Sequence, residues 1–387
     1  MLLGLLLVLN TGAIVLYQGV QAWRAITKPA QQTDPRARLP NYEGIDWAET
    51  HFEELKRASV EYHSFYGWRR KPFFGRTITV DDRGIRTTPG SATPEDSAPF
   101  VVFLGGSTMW GEGTDDNNTI PAHFLRLDTK KMRVENLGES AYNAFQGYLF
   151  LKFKVLDGWT PDLVVSYDGI NNVEGLCRAA NRATGHSREL QMRSAMRGLD
   201  QVASPPALTA WYFVLPAKEL IARFVKRVDP ATENPYRSIC GQDLARAKAV
   251  AKHLLDSWLS TMQLVIERGG RFVAVLQPSA YVGQATITHF DLSDDIRLSY
   301  QAVYSSVRRQ LNDPVYAALQ PHVVDFTDAF NDYGHVYIDP AHVSPEGNKV
   351  IADKLFRNEL ISLILSQTRS RQSQLTPPSN SSFQEPR

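Results

Sequence analysis

Apolar and polar positions divide the chain into an apolar start, a long mixed region and a polar end. Residues 1–23 are apolar apart from one threonine and three amide side chains, and no charged side chain precedes Arg24. A helix rising about 1.5 Å per residue over this length just spans a hydrocarbon layer of about 30 Å. A cleaved signal peptide would need a basic start and a small-residue cleavage site, and neither is clear. The pattern therefore predicts one uncleaved N-terminal transmembrane helix.

Short, nearly continuous apolar runs recur along the middle of the chain, as expected of strands buried on both faces of a parallel sheet. The runs are residues 100–104, 133–137, 162–167, 271–276 and 322–326. Helical patterns lie between them, and over residues 243–268 apolar side chains recur every three or four positions. Ser344-Pro345 is a helix-start signal for the last helix. Strands alternating with helices predict an α/β fold, a three-layer α/β/α sandwich around a central, mostly parallel sheet.

The remaining residues complete the predicted domain organisation. Residues 24–45 are polar and contain proline, which is typical of a tether, and residues 46–98 are interpreted as an extension packing on the core. The main domain covers 99–366 and carries a helical insertion at about 174–241, which fits poorly between two strands and is placed near the mouth of the site. Residues 367–387 are rich in Ser, Gln, Pro and Arg, a composition typical of a disordered tail.

Composition excludes several classes of function. The formal charge is 42 − 41 = +1, so no global field recruits nucleic acid. The only two cysteines, Cys177 and Cys240, are too few for a disulfide scaffold and lack metal-ligand spacing. They either pair, if the domain sits in an oxidising compartment, or remain two buried thiols. No metal or organic cofactor is predicted.

Candidate chemistry begins where the first buried run ends, at Gly105-Gly106-Ser107-Thr108. Ligands of open α/β sheets bind outside the carboxyl ends of the strands, and small residues let the chain turn there and present the Ser107 hydroxyl. The second element is Asp339-Pro340-Ala341-His342, just before the last helix. A serine nucleophile needs an imidazole to take its proton and a carboxylate to orient that imidazole. Taken singly, each motif is more typical of an ordinary turn than of a catalytic site.

Two further residues follow intervening runs and can serve a developing oxyanion. Gly138 ends the run at 133–137, where a backbone N–H can approach a ligand closely, and Asn171 follows the run at 162–167. With the N–H of Ser107 they would supply three donors, each of which typically contributes about 10²–10³ in turnover.

The order of these motifs resembles the SGNH, or GDSL-like, hydrolase superfamily over roughly residues 99–362. The four residues that name the family would fall on Ser107, Gly138, Asn171 and His342, with the acid at Asp339. The turn from Asp81 to Arg86 is similar to one that precedes the core in the bacterial membrane-anchored branch. The sequence departs from the pattern at two positions, because Gly106 and Asn172 stand where the family usually has Asp.

The resemblance implies a serine ester hydrolase that cleaves acyl or O-acetyl esters, with polysaccharide as a candidate substrate, and needs no metal or organic cofactor. An O-acyltransferase with the same triad and a non-catalytic component of a membrane assembly remain alternatives.

The charge pattern and the resemblance predict opposite orientations in the membrane. Four basic residues between Arg24 and Arg38 would keep the domain cytoplasmic by the positive-inside rule. Members of the family are commonly exported, so we expect an extracytoplasmic, periplasmic domain.

Overall fold

The computed structural model of the chain describes residues 18–19, 33–94, 98–129, 131–202 and 234–366. It divides into two units, of which the larger comprises residues 34–177, 183–187 and 238–387. The strands are β1 (Val60–His63), β2 (Gly67–Arg70), β3 (Phe73–Phe74), β4 (Thr79–Val80), β5 (Phe100–Gly105), β6 (Arg133–Asn136), β7 (Leu163–Asp168), β8 (Arg271–Leu276) and β9 (Val323–Asp325). The α-helices are α1 (Ala48–Arg57), α2 (Ser107–Trp110), α3 (Ile120–Leu127), α4 (Ala144–Leu156), α5 (Ile170–Leu176), α6 (Glu189–Val202), α7 (Leu244–Ile266), α8 (Asp294–Gln310) and α9 (Pro345–Arg357). Only α6 belongs to the smaller unit.

Strands β5 to β9 form a parallel sheet in the order β6-β5-β7-β8-β9. These strands correspond to the five apolar runs, so the prediction of an α/β fold with a central parallel sheet is confirmed. Every residue of β5 and of β7 is buried, which explains why these runs are apolar without alternation. The chain leaves β5 for β6 on one side and returns to β7 on the other. The carboxyl ends of β5 and β7 therefore flank the switch point, where open α/β sheets bind ligands.

Helices cover both faces of this sheet. On one face, α3 and α9 pack against each other, and Phe124, Ile351 and Leu355 join the side chains of Val101 and Val165 in one buried cluster. On the other face, α4, α7 and α8 pack together and α7 contacts β8. Ser344 caps α9 by accepting the N–H of Gly347, as the Ser-Pro signal predicts.

The predicted tether at 24–45 is wrong for the part that the structure describes. Pro35–Arg38 and Pro40–Tyr42 form short 3-10 helices, and Ala37 and Tyr42 are buried together with Phe52 and Ile338. The Tyr42 hydroxyl donates to the Gly113 carbonyl at 2.6 Å. Composition suggested a tether because proline and polar side chains are frequent, but the buried Ala37 and Tyr42 side chains pack this segment against the fold.

Several predictions of the domain organisation fall on residues that the structure does not describe. The proposed membrane helix at 1–23 lies outside the described residues except for Gln18 and Gly19, and so does the tail at 367–387. Among the helices that are described, none has the length and apolarity to cross a bilayer.

The insertion at 174–241 is closed at its base by a disulfide. Cys177 and Cys240 are bonded, with their Cα atoms 5.3 Å apart, and both are fully buried in the larger unit. Of the two alternatives left by the sequence, the pairing is therefore the one that the structure shows. Helix α6 gives the insertion part of its predicted helical character, and residues 203–233 lie outside the description.

The extension at 46–98 contains a turn after β4, and Arg86, which follows this turn, contacts the end of α2. Asp81 accepts the N–H groups of Arg83 and Ile85, which closes the turn after β4. Arg86 then lies fully buried, paired with Asp116 at 2.8 Å. Its guanidinium also donates to the carbonyls of Gly111 at 2.6 Å and Thr114 at 2.7 Å. Arg86 thus satisfies backbone acceptors at the C-terminal end of α2, the helix that begins at Ser107.

We expect Arg86→Ala to lower the free energy of unfolding by about 3–5 kcal/mol, because it leaves a buried carboxylate and several carbonyls without their partner. Chemical denaturation monitored by fluorescence measures the change. Arg76→Ala is the matched control, since Arg76 pairs with Asp46 in an exposed ion pair worth less than about 1 kcal/mol. Equal losses in the two variants would contradict the capping role of Arg86.

Candidate active site

Ser107 occupies a sharp bend between β5 and α2. Gly105 has a φ of +156°, and a Cβ there would lie 2.6 Å from the Tyr167 carbonyl oxygen, so the bend accepts only glycine. Ser107 is the first residue of α2, and its N–H therefore has no acceptor within that helix. The Ser107 hydroxyl, and its N–H, for which the described residues supply no acceptor, both lie at the switch point of the sheet.

The loop from Asp339 to His342 lies directly beside this serine. His342 Nε2 is 2.7 Å from Ser107 Oγ, and His342 Nδ1 is 2.9 and 2.8 Å from the two carboxylate oxygens of Asp339. Asp339 also accepts the backbone N–H groups of Ala341 at 3.0 Å and His342 at 2.8 Å, which fixes the carboxylate in place. The structure thus brings together, in one hydrogen-bonded row, three side chains that the sequence predicted.

Asn171 lies at the start of α5, directly after β7. Its Nδ2 donates to the Tyr142 carbonyl at 2.8 Å, which leaves the second hydrogen of the amide without this partner. A Cβ on Gly106 would lie only 2.0 Å from Asn171 Nδ2. Because Gly106 has no side chain, the amide can approach the backbone next to Ser107. The departure from the family pattern at Gly106 therefore has a structural reason.

Gly138 does not point a free N–H at this site. Its N–H donates to Asn136 Oδ1 at 3.0 Å, within its own turn. A Cβ at this position would lie 2.5 Å from the Trp110 nitrogen, so the glycine is required for close packing against α2. The structure thus gives Gly138 a packing role, in contrast to the donor role that the sequence predicted.

Ala141 has a backbone conformation that the sequence did not reveal. It has a φ of +66°, which is unusual for a residue with a side chain. Its N–H has no acceptor among the residues that the structure describes. The next residue, Tyr142, is the one whose carbonyl holds Asn171. No residue type in this segment signals a free donor, since the signal is the backbone conformation itself.

Two charged residues that were not predicted also touch the row. Arg36 Nη1 lies 2.9 Å from Asp339 Oδ2, and its guanidinium also pairs with Asp34. Glu112 Oε2 lies 3.3 Å from His342 Nε2. Arg36 falls in the supposed tether, and Glu112 stands alone between two glycines, so neither position carried a recognisable motif.

The electrostatics of the row follow from burial and these charges. Burial of the His342 imidazole opposes its charge, but the carboxylates of Asp339 and Glu112 outweigh burial and raise the pKa of His342 above its ordinary value, while Arg36 opposes them. Burial also works to raise the pKa of Asp339, yet His342 and two backbone N–H groups hold that pKa well below its ordinary range. The site therefore favours a carboxylate at Asp339 and a positively charged imidazole at His342.

No metal-binding site is found among the described residues. Within residues 33–94, 98–129, 131–202 and 234–366, no group of three or more His, Cys, Asp or Glu side chains could hold a metal ion.

Comparisons with known proteins find similarity in solved structures alone. No family model matches the chain, and no curated protein matches it. A lipolytic G-D-S-L family protein from Veillonella parvula is 11% identical, with a TM-score of 0.38, and the match covers 67% of this chain and 97% of that one. An acetyl xylan esterase is 15% identical, with a TM-score of 0.34 over 66% of this chain and 97% of its own.

An acetyl-xylooligosaccharide esterase from Geobacillus is 16% identical, with a TM-score of 0.37 over 70% of this chain and 95% of its own.

We expect Gly106→Ala to lower the free energy of unfolding by about 1–3 kcal/mol, because the added methyl group overlaps the amide of Asn171. Removing that amide relieves the overlap, so Asn171→Ala should cost less in the Gly106→Ala background than in the parent chain. A double-mutant cycle measured by denaturation checks this. Strictly additive losses would show that the two residues do not meet.

Proposed function

We propose that this chain is a serine ester hydrolase of the SGNH, or GDSL-like, class. The observation that carries the proposal is the hydrogen-bonded row of Ser107 Oγ, His342 Nε2 and Nδ1, and the Asp339 carboxylate. A hydroxyl, an imidazole and a carboxylate in this order are what nucleophilic attack by serine requires. The order of the motifs along the sequence supports the same class.

The geometry supports a two-step mechanism. His342 Nε2 takes the proton of Ser107 as Oγ attacks the ester carbonyl carbon, and the imidazolium then gives that proton to the departing alcohol. Water attacks the resulting acyl-enzyme as His342 accepts its proton. The imidazolium then returns that proton to Ser107 Oγ as the bond between Oγ and the acyl carbon breaks and the carboxylic acid leaves. Throughout, Asp339 accepts the Nδ1–H and so keeps Nε2 facing the serine.

The negative oxygen formed during each attack needs hydrogen-bond donors. We assign these to the N–H of Ser107, the second Nδ2 hydrogen of Asn171 and the N–H of Ala141. Ala141 takes the place first given to Gly138, because the Gly138 N–H is already bonded to Asn136. Donors held by the fold stabilise the tetrahedral intermediate without reorganising, and losing one typically costs about 10²–10³ in turnover.

The proposed substrates are acyl esters, with O-acetyl groups on polysaccharide as the class that the sequence resemblance suggests. The same row would transfer the acyl group to a sugar hydroxyl if water were excluded from the acyl-enzyme. No contact among the described residues favours this O-acyltransferase alternative, so hydrolysis is the function proposed.

We expect Ser107→Ala to reduce kcat by at least about 10³, as loss of a serine nucleophile does in other triads. A panel of acyl esters and acetylated glycans, assayed with and without an acceptor glycan, measures it. Ser362→Ala is the control, because Ser362 is exposed, follows α9 in the sequence, and its hydroxyl donates to the Phe356 carbonyl. Equal turnover by Ser107→Ala and the parent would refute the nucleophile, and transfer product without free acid would favour the transferase.

We further propose that the domain is anchored by a helix at 1–23 and faces the extracytoplasmic side. The disulfide between Cys177 and Cys240 supports the location, because disulfides persist in oxidising compartments and are rare in the cytosol. It also argues against a cytoplasmic domain, which the positive-inside rule would predict from the basic residues that follow Trp23.

We expect both cysteines to be protected from alkylation when cells are lysed directly into denaturant with a thiol reagent, and to react only after reduction. The bond joins residues 63 positions apart, so replacing both cysteines by serine should lower the free energy of unfolding by about 2–4 kcal/mol. Immediate alkylation of both thiols in unreduced lysates would contradict the proposed location.

A further inference from the structure

Glu112 faces the same nitrogen of His342 that Ser107 faces. Its Oε2 lies 3.3 Å from His342 Nε2, and the Ser107 hydroxyl lies 2.7 Å from that nitrogen. Gly111 and Gly113 on either side have φ values of +99° and +94°. This backbone path, which residues with side chains rarely follow, brings the carboxylate round to the imidazole.

Two side chains, Ser140 and Arg70, contact the carboxylate oxygen of Glu112 that does not face His342. The Ser140 hydroxyl donates to Glu112 Oε1, and Arg70 Nη2 lies 3.7 Å from the same oxygen. Arg70 also donates to Ser140 Oγ at 2.6 Å and to the fully buried Glu139 at 3.2 Å. Because Arg70 is shared between two carboxylates, it anchors Glu112 without fully neutralising it.

The protonation state of His342 decides whether this arrangement is favourable. In the neutral imidazole that donates Nδ1–H to Asp339, Nε2 carries only a lone pair. That lone pair can accept the Ser107 proton, but a carboxylate oxygen 3.3 Å away repels it. Once Nε2 is protonated, both oxygens can accept its hydrogen, and the attraction between opposite charges replaces the repulsion.

We propose that Glu112 is a positioning residue that stabilises the imidazolium of His342 from the serine side, so that His342 works between two carboxylates. This inference rests on the proposed function, in which the imidazolium forms each time Ser107 loses its proton. The charged groups facing His342 are Asp339 and Glu112, with Arg36 behind the first and Arg70 behind the second. The raised pKa of His342, to which Glu112 contributes, agrees with this geometry.

Glu112 has two opposite effects on the proposed reaction, because it stabilises the imidazolium and reduces the fraction of neutral His342. Stabilising the imidazolium lowers the barrier to attack, since that charge develops as the bond to the ester carbon forms. The same interaction favours the protonated form of His342 in the free enzyme, and in that form His342 cannot act as a base. Activity should therefore rise with pH as that proton is lost, and removing Glu112 should move this rise to lower pH.

The test measures the pKa of His342 directly, by NMR titration of its imidazole in the full chain. In a Ser107→Ala background, Glu112→Gln should lower that pKa by about one unit or more, as removal of a neighbouring opposite charge does. Glu346→Gln is the matched control, because Glu346 is exposed, pairs with Lys349 and has no contact with His342. An unchanged pKa in Glu112→Gln would overturn the proposal.

Glu112→Asp keeps the charge on a shorter side chain and guards against a glutamine variant that does not fold. It should lower the pKa of His342 by a smaller amount than glutamine does, because the carboxylate is withdrawn from Nε2. Ser140→Ala removes the group that orients Glu112 and should act in the same direction. If both variants fold and leave the pKa unchanged, Glu112 has no influence on His342.

Turnover supplies the second readout. In Glu112→Gln, the acidic limb of the kcat/KM profile should move to lower pH by the same shift that NMR measures, and the plateau at high pH should fall. A residue with a purely structural role would lower the whole profile without moving the limb. Absence of ester hydrolysis in the parent chain would remove the proposed function, whereas the NMR titration would still decide the coupling of Glu112 to His342.

Discussion

The hydrogen bond between Ser107 Oγ and His342 Nε2 is the contact on which the rest of the site depends. It joins residues 235 positions apart, one at the end of β5 and the other in the loop before α9. Its length is set by parts that are separately fixed. Gly105 makes the bend after β5 possible, Arg86 holds the far end of α2, and Asp339 holds the His342 side. The sheet brings these parts together, and local contacts fix them at hydrogen-bonding distance.

Charge around His342 is arranged as two carboxylate–arginine pairs. Asp339 contacts Nδ1 and has Arg36 behind it, and Glu112 contacts Nε2 with Arg70 behind it. Each carboxylate favours the imidazolium, and Arg36 opposes it. An arginine that pairs with a carboxylate in a partly buried site also offsets the desolvation of that carboxylate. The pKa of His342 thus depends on Asp339, Glu112 and Arg36, and Arg70 pairs with Glu112.

The sequence predicted the parts of this structure that follow from local pattern. Continuous apolar runs mark buried parallel strands, and the motif around Asp339 and His342 marks a turn that supplies two functional groups from one segment. Arg36 and Glu112 had no such signal, because their roles depend on contacts with residues distant in the sequence. Arg36 and Asp339 are 303 positions apart. Ala141 could not be predicted because glycine, and not alanine, is the residue expected at positive φ.

The departure at Gly106 shows how a motif can change without losing its geometry. In a chain with a side chain at this position, the amide of Asn171 could not lie where it does, since the two would overlap. The glycine is therefore tied to the position of Asn171, whose amide lies against the backbone next to Ser107. Compared with the motif alone, Gly106 is simply a missing aspartate. Considered together with Asn171, it is the residue that leaves space for the Asn171 amide.

The three arginines that support the site all precede residue 99, where the family resemblance begins. Arg36 contacts Asp339, Arg70 contacts Glu112, and Arg86 satisfies the end of the helix that starts at Ser107. The sheet domain supplies Ser107, Glu112, Asp339 and His342, and the preceding segment supplies arginines that pair with the two carboxylates. Because a buried carboxylate without a partner is costly, Arg36 and Arg70 belong to the structure of the candidate site.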